Sequence, residues 1–363
     1  MPPDVDEQHY VTPQGSTEHV TRLQAGGIAK VGERPQAAGT LDTARLPALT
    51  LDQAFHFDKP PEPGSTVRAT MQIDGQPRDL YLHIPPNYDP NKPAGLILCL
   101  NGLGEGAKGQ ESFTQLSAAG DKSNYILAYP DGSGKGTWYV PNSAHGWNNG
   151  QDPGDTADDP KFLNTLIDHL QSGLSIDPKK VFMVGQSSGG SGVDSTISQM
   201  HGRVAAVADI QGWTTGHEHP LTTPTSALII KGLDNPLSPD AGSNGQTWAG
   251  VKRFFSGNFG SGAAETVLGA VGPSMQPTQA TANYYARADH TQNVQRFDNG
   301  QMHVTRYTGG TNATEVEVIR GDHLGNGWPG STYPDPYMID AQGRQVGATD
   351  TIIDFFNHHA KQQ

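Results

Sequence analysis

Lys180-Val181-Phe182-Met183-Val184-Gly185-Gln186-Ser187-Ser188-Gly189-Gly190 is the stretch that decides the fold. An apolar run of strand length breaks into small residues, and apolar positions then recur at Val193, Ile197 and Met200, as on one face of a helix. The reading is strand, sharp turn and helix, with Ser187 at the turn. Gly185-x-Ser187-x-Gly189 is the frame of a nucleophile elbow, where a strained turn holds a serine hydroxyl clear of a sheet. Glycine is expected at both flanks because a Cβ there would meet the neighbouring strand or helix. The helix that follows aims its first N–H groups at the same spot, where negative charge on a bound carbonyl oxygen would be stabilised.

Working outward, short buried-type strands alternate with amphipathic helices. Leu96-Ile97-Leu98-Cys99-Leu100 and Tyr125 to Tyr129 precede the elbow, with a helix from Glu111 to Ala119 between them. The helix carrying Phe162, Leu163, Leu166, Ile167 and Leu170 leads into the elbow strand. Val204 to Ala208 and Ser226 to Ile230 follow it, then a helix from Trp248 to Phe255. A late strand pair, Val304 to Tyr307 and Val316 to Ile319, precedes a closing helix at Thr351 to Phe356 with Asp350 as its cap. Val67 to Met71 and Leu80 to Ile84 alternate around Asp74-Gly75 and predict a hairpin. The pattern is that of an α/β fold, a mainly parallel twisted sheet with helices on both faces. Residues 1–60, rich in Pro, Gly, Ala, Thr and Gln, are expected to form a partly ordered extension, and 61–363 the catalytic domain. Within the extension, Phe55-His56-Phe57 is suited to dock on the main body. The stretch 257–280 reads as an insertion, either a lid or a surface loop.

The chain has 363 residues and a formal net charge of −13. An acidic surface argues against nucleic acid or an anionic membrane as partner. No run approaches the roughly 18 apolar residues of a membrane span, and no signal peptide is apparent at the N-terminus. The single cysteine, Cys99, lies within an apolar run and is expected to be buried and inert.

A serine hydroxyl needs a base within hydrogen-bond reach and an acid to orient that base, in the chain order Ser, Asp or Glu, His for this fold. Asp234 follows the strand Ala227 to Ile230 and is expected to be the acid, with Asp240 as runner-up. His323, in the Gly-rich loop after Val316 to Ile319, is expected to be the base. His290 and His303 rank below it because they fall in helix-like and strand-like runs. The oxyanion donors are expected to be the N–H groups of Ser188 and of Leu103, the latter in the loop Asn101-Gly102-Leu103-Gly104. His217-x-His219 lacks a carboxylate or cysteine to complete a metal site and is read as a loop feature.

Several further motifs occur in order: Tyr81-Leu82-His83-Ile84-Pro85-Pro86-Asn87-Tyr88, Tyr129-Pro130-Asp131-Gly132, Gly146-Trp147-Asn148, Asp158-Asp159, Gly232-Leu233-Asp234, and His323 followed by Trp328-Pro329-Gly330. With the elbow, they make the chain resemble the polyhydroxybutyrate depolymerase and feruloyl or acetylxylan esterase group of α/β-hydrolases, over about Arg78 to Phe356. The resemblance implies carboxylic ester hydrolysis through an acyl-enzyme, with Ser187, Asp234 and His323 as the triad and no cofactor or metal. It implies a secreted or periplasmic setting and leaves a cytoplasmic one open. Three features depart from the group: Asn101 stands where His usually precedes Gly, extra residues separate His323 from Trp328, and the cysteines of secreted members are missing. Trp147, Trp213 and Trp328 are candidates for a substrate platform at the mouth or for packing under long loops. The substrate expected is a polyester or a plant cell-wall acyl ester. The alternatives are a serine peptidase on the same fold and a non-catalytic binding protein on a degenerate hydrolase scaffold.

Overall fold

The computed structural model describes residues 55–132, 136–137, 140–141, 145–151, 155–244, 274–331 and 336–361. The extension before residue 55, the helix expected at Trp248 to Phe255 and most of the 257–280 insertion lie outside the described residues.

Eleven strands form one sheet. In chain order they are β1 (Phe55–Phe57), β2 (Thr66–Ile73), β3 (Gln76–His83), β4 (Ala94–Leu100), β5 (Tyr125–Pro130), β6 (Ile176–Gln186), β7 (Ala206–Ile210), β8 (Ser226–Gly232), β9 (Asn293–Asp298), β10 (Met302–Thr308) and β11 (Val316–Gly321). Across the sheet they run β1-β2-β3-β5-β4-β6-β7-β8-β11-β10-β9. The strands from β5 to β11 in that order are parallel, and antiparallel strands flank them on either side. This is the α/β-hydrolase arrangement that the sequence pattern predicts. Phe55-His56-Phe57 docks as β1, paired antiparallel to Ala69–Met71, with Phe55 buried.

The hairpin β2–β3 turns at Asp74 (φ 52°) and Gly75 (φ 73°). Two left-handed residues in succession are what a tight hairpin asks for, and Asp-Gly supplies them at low strain. Strand β4 is buried along its whole length. Leu96, Leu98 and Leu100 face one side of the sheet and Ile97 and Cys99 the other, so the strand belongs to two cores at once. Helices α3 (Asp159–Gly173), α4 (Ser188–Thr196) and α5 (Thr278–Asp289) pack on the first face. Helix α2 (Leu116–Lys122) and helix α6 (Ala348–His358) cover the second. Each Leu or Ile buried in this way contributes about 1.5–3 kcal/mol. Cys99 is buried and its thiol is pushed up to about 12 by desolvation, which makes it inert.

Three expected elements differ in detail. The helix expected from Glu111 to Ala119 is two helices, α1 (Gly106–Thr114) and α2, because Gln115 takes a left-handed conformation (φ 55°) between them. Helix α6 is capped by Gly347, and Asp350 sits in its first turn, where it favours the helix dipole without capping. The strand expected at Val204 is β7, two residues further on.

Helix α3 begins where Asp158 accepts from the N–H of Lys161 at 2.9 Å. Its first residue, fully buried Asp159, pairs with Arg78 of β3 at 2.9 Å. The other Asp159 oxygen accepts the N–H of Asn148 at 2.7 Å. The guanidinium of Arg78 also bonds the carbonyl of Asp131 at 2.9 Å and lies 3.9 Å from the centre of the Phe162 ring. One ion pair thus ties the hairpin, α3 and two loops that border the site.

At the end of α5, Asp289 accepts the N–H of Thr225 at 2.7 Å through one oxygen, with Thr314 also beside the carboxyl. Burial pushes its carboxyl up to about 7, against the pull of the Thr225 amide. An ordinary aspartate titrates near 3.9. Between those values the folded chain holds a proton that the unfolded chain releases, so stability falls as pH rises from about 4 to 7 and is then level. Asp289→Asn keeps the acceptor and removes the buried charge. Its melting temperature should exceed that of the native chain by about 2 °C or more at pH 8 and by much less at pH 4.5. Equal shifts at the two pH values would refute this.

Candidate active site

Strand β6 ends at Gln186, and Ser187 follows at φ 54°, ψ −117°, a strained conformation for a residue with a side chain. Its N–H donates to the carbonyl of Ile210 at 2.8 Å, which anchors the turn to β7. A Cβ on Gly185 would lie 2.1 Å from the carbonyl oxygen of Gly189, and one on Gly189 would lie 2.3 Å from that of Leu100. These glycines let the first turn of α4 press against the end of β4. Ser188 at the head of α4 and the loop Asn101–Gly104 after β4 are thereby neighbours of Ser187.

Asn101 fastens that loop. Its Nδ2 donates to the carbonyls of Gly102 and His145, both at 2.8 Å, and its Oδ1 accepts from Gly132 at 3.2 Å. The indole of Trp147 donates to the Asn101 carbonyl at 3.1 Å. Gly102 packs directly on the Gln186 side chain, with Glu105 beside it, and burial pushes the Glu105 carboxyl up to about 7. Behind the elbow, fully desolvated Asp194 of α4 receives the Tyr285 hydroxyl at 2.7 Å and is raised by burial and by the nearby Asp209. Lys231 is buried among these acids; desolvation lowers it to about 8, and it donates to the carbonyl of Gly212 at 2.7 Å.

Asp234 and His323 come together as a pair, Oδ2 to Nδ1 at 3.3 Å, on an open part of the surface where their side chains are 65% and 81% exposed. The group on the Ser187 hydroxyl is a different one: Nδ2 of Asn326, at 3.1 Å. Oδ1 of Asn326 in turn accepts from Nδ2 of Asn235 at 3.0 Å. Asn235 is buried, and its own Oδ1 accepts the N–H groups of Leu237 at 2.9 Å and Ser238 at 3.0 Å. Sequence reasoning passed over both asparagines. Their signal was position: Asn235 directly follows Asp234, and Asn326 lies within the loop between His323 and Trp328.

Asp240 is committed elsewhere, to Arg320 at 2.8 Å. His303 of β10 pairs with Asp298 at 2.8 Å, whose hydrogen bond raises it, and His290 is the left-handed residue that ends α5. The three tryptophans, candidates for a platform at the mouth or for packing under long loops, are buried. Trp328 is fully buried with its N–H on Thr349 at 2.8 Å, Trp147 is 2% exposed, and Trp213 is 5% exposed. Trp147 packs on Gly192 of α4 and Trp328 on Phe113 of α1, so their burial accords with packing and not with an open platform.

Residues 72–213 match the family model described as "Putative esterase". Together with the esterase-named relatives below, this match reads the chain as a carboxylic ester hydrolase. The matched stretch contains the loop Asn101–Gly104 and the elbow at Ser187, and it ends before Asn235 and Asn326. A protein of Nocardia uniformis subsp. tsuyamanensis described as "Putative esterase NocK" is 27% identical to this esterase over 360 residues, covering 93% of this chain and 94% of that one. The bifunctional acetylxylan esterase/xylanase XynS20E of Neocallimastix patriciarum is 27% identical over 148 residues, 40% of this chain and 20% of its own length. Feruloyl esterase D of Neurospora crassa is 30% identical over 150 residues, 41% of this esterase and 49% of its own length. The esterase thus spans about a fifth and about half of the last two. Among its described residues no helix is long and apolar enough to cross a membrane.

Proposed function

We propose that the esterase opens a carboxylic ester through an acyl-enzyme on Ser187. The observation that carries this reading is the strained Ser187 at the head of α4, inside the stretch that matches the family model. In this reaction Ser187 Oγ attacks the ester carbonyl carbon and the hydroxyl proton passes to a base. The carbonyl oxygen takes up negative charge against the N–H groups of Leu103 and Ser188. The alcohol then leaves with that proton, and water releases the acid by the reverse sequence. His323, oriented by Asp234, is the base in this proposal. A polyester or a plant cell-wall acyl ester is the substrate class, a choice that rests on the family resemblance and on the acetylxylan and feruloyl esterases among the relatives.

A second reading, a non-catalytic binding protein on a hydrolase scaffold, is favoured by one observation: an amide, not an imidazole, lies on the Ser187 hydroxyl. Fluorophosphonate labelling followed by peptide mapping separates the two, since the reagent reacts with an activated serine without regard to substrate. A phosphonylated Ser187 supports the esterase mechanism. Absence of label at Ser187 after prolonged exposure would move the binding reading to first place.

A further inference from the structure

We infer that Asn326 and Asn235 occupy the places of the base and the acid at Ser187 and hold the serine unactivated, so that the site engages its ester more readily than it turns it over. This rests on Ser187 being the nucleophile, and it casts Asn326 as a positioning residue.

The polarity of the amide pair is fixed from its far end. Two backbone N–H groups, Leu237 and Ser238, point at Asn235 Oδ1, so Nδ2 of Asn235 has to face the other way. There it donates to Oδ1 of Asn326 at 3.0 Å and to Oε1 of Gln211 at 3.1 Å. Gln211 Oε1 is itself held as an acceptor by the N–H of Gly232 at 2.8 Å. With its oxygen taken, Asn326 can present only Nδ2 to Ser187. The main chain of Asn326 is pinned as well, because Gln186 Nε2 donates to its carbonyl. Every bond in this chain therefore runs toward the serine.

A general base must receive the hydroxyl proton on a lone pair. An amide nitrogen has none to offer, and an uncharged amide does not titrate in the accessible pH range. The donor on Oγ engages one of the oxygen's two lone pairs and makes it a poorer nucleophile, while the serine's own hydrogen can turn to an oxygen of a bound ester. The imidazole and carboxylate that could accept a proton are the exposed His323 and Asp234. They form an outer layer beside the inner amides, one chain position from Asn235 and three from Asn326.

The test compares the native chain, Asn326→His, Asn235→Asp/Asn326→His, Asn326→Ala and Ser187→Ala for fluorophosphonate labelling rate and p-nitrophenyl acetate kcat/KM between pH 5 and 9. The double variant should gain on the order of 10² or more in both. Its rate should follow a sigmoid with a midpoint near the ordinary histidine value of about 6.5, which a purely structural change would not create. Asn326→His alone should gain little, because Asn235 Nδ2 forces the ring to turn an N–H, the wrong tautomer, toward Ser187. Asn326→Ala, which removes the donor with the least disturbance, should label several-fold faster than the native chain and decides the question should the double variant not fold. The inference is overturned if the double variant labels Ser187 no faster than the native chain. It is likewise overturned if Asn326→Ala is about tenfold slower, because the amide would then be assisting the serine. Label surviving in Ser187→Ala would instead overturn the esterase mechanism itself.

Discussion

Ser187→Ala should lower p-nitrophenyl ester turnover to the level of solvent hydrolysis, a loss on the order of 10²–10⁴. The size follows from the geometry around Oγ. A serine with an imidazole already in contact would lose more, since nucleophile and base act as a unit, but here the contact is the Asn326 amide. Stability should be almost unchanged, because the strain at φ 54°, ψ −117° belongs to the backbone and alanine inherits it. Hydrolysis of p-nitrophenyl acetate, butyrate and octanoate by the two proteins, with thermal unfolding as a control, checks this. Retention of more than about a tenth of the native rate by a folded variant would place the chemistry on another residue.

Arg78→Ala should cost about 3–5 kcal/mol, because it leaves a carboxylate buried without its partner. Asp159 is fully buried, and desolvation raises its carboxyl against the opposing pull of Arg78. Without the guanidinium that carboxyl rises further. An acid raised in the folded state loses stability as pH rises, so the deficit should be largest at pH 8 and should narrow toward pH 5 as Asp159 takes up a proton. The loss also has a packing share, since Arg78 lies on the Phe162 ring. Asp159→Asn in the Arg78→Ala background should recover part of the deficit by removing the unpaired charge. Urea unfolding of the three variants at both pH values measures this. A uniform loss below about 1 kcal/mol would mean that water replaces the guanidinium.

Much of this architecture is legible in the residues because each local signal agrees with the global fold. Asp74-Gly75 dictates the hairpin, Leu96–Leu100 reads as a strand buried on both faces, and Gly185 and Gly189 mark the elbow. Elements without such a signal were missed. Strand β9 is exposed along nearly its whole length, so Asn293–Asp298 shows no alternation to read. The break at Gln115 is likewise silent, since glutamine does not announce a left-handed turn. At the site, attention goes to residues with titratable chemistry, which favours Asp234 and His323. Asn235 and Asn326 carry no charge, and only three-dimensional placement reveals what they touch.

The fixed polarity of those amides also bears on how such a site can change over generations. Histidine and aspartate are each one base away from an asparagine codon, so the exchange looks easy. Yet a histidine alone at 326 would meet an N–H donor from Asn235, and an aspartate alone at 235 would face the Gln211 and Asn326 oxygens. Neither first step is rewarded. Positions 235 and 326 are therefore coupled, and an imidazole and a carboxylate would have to arrive at them together.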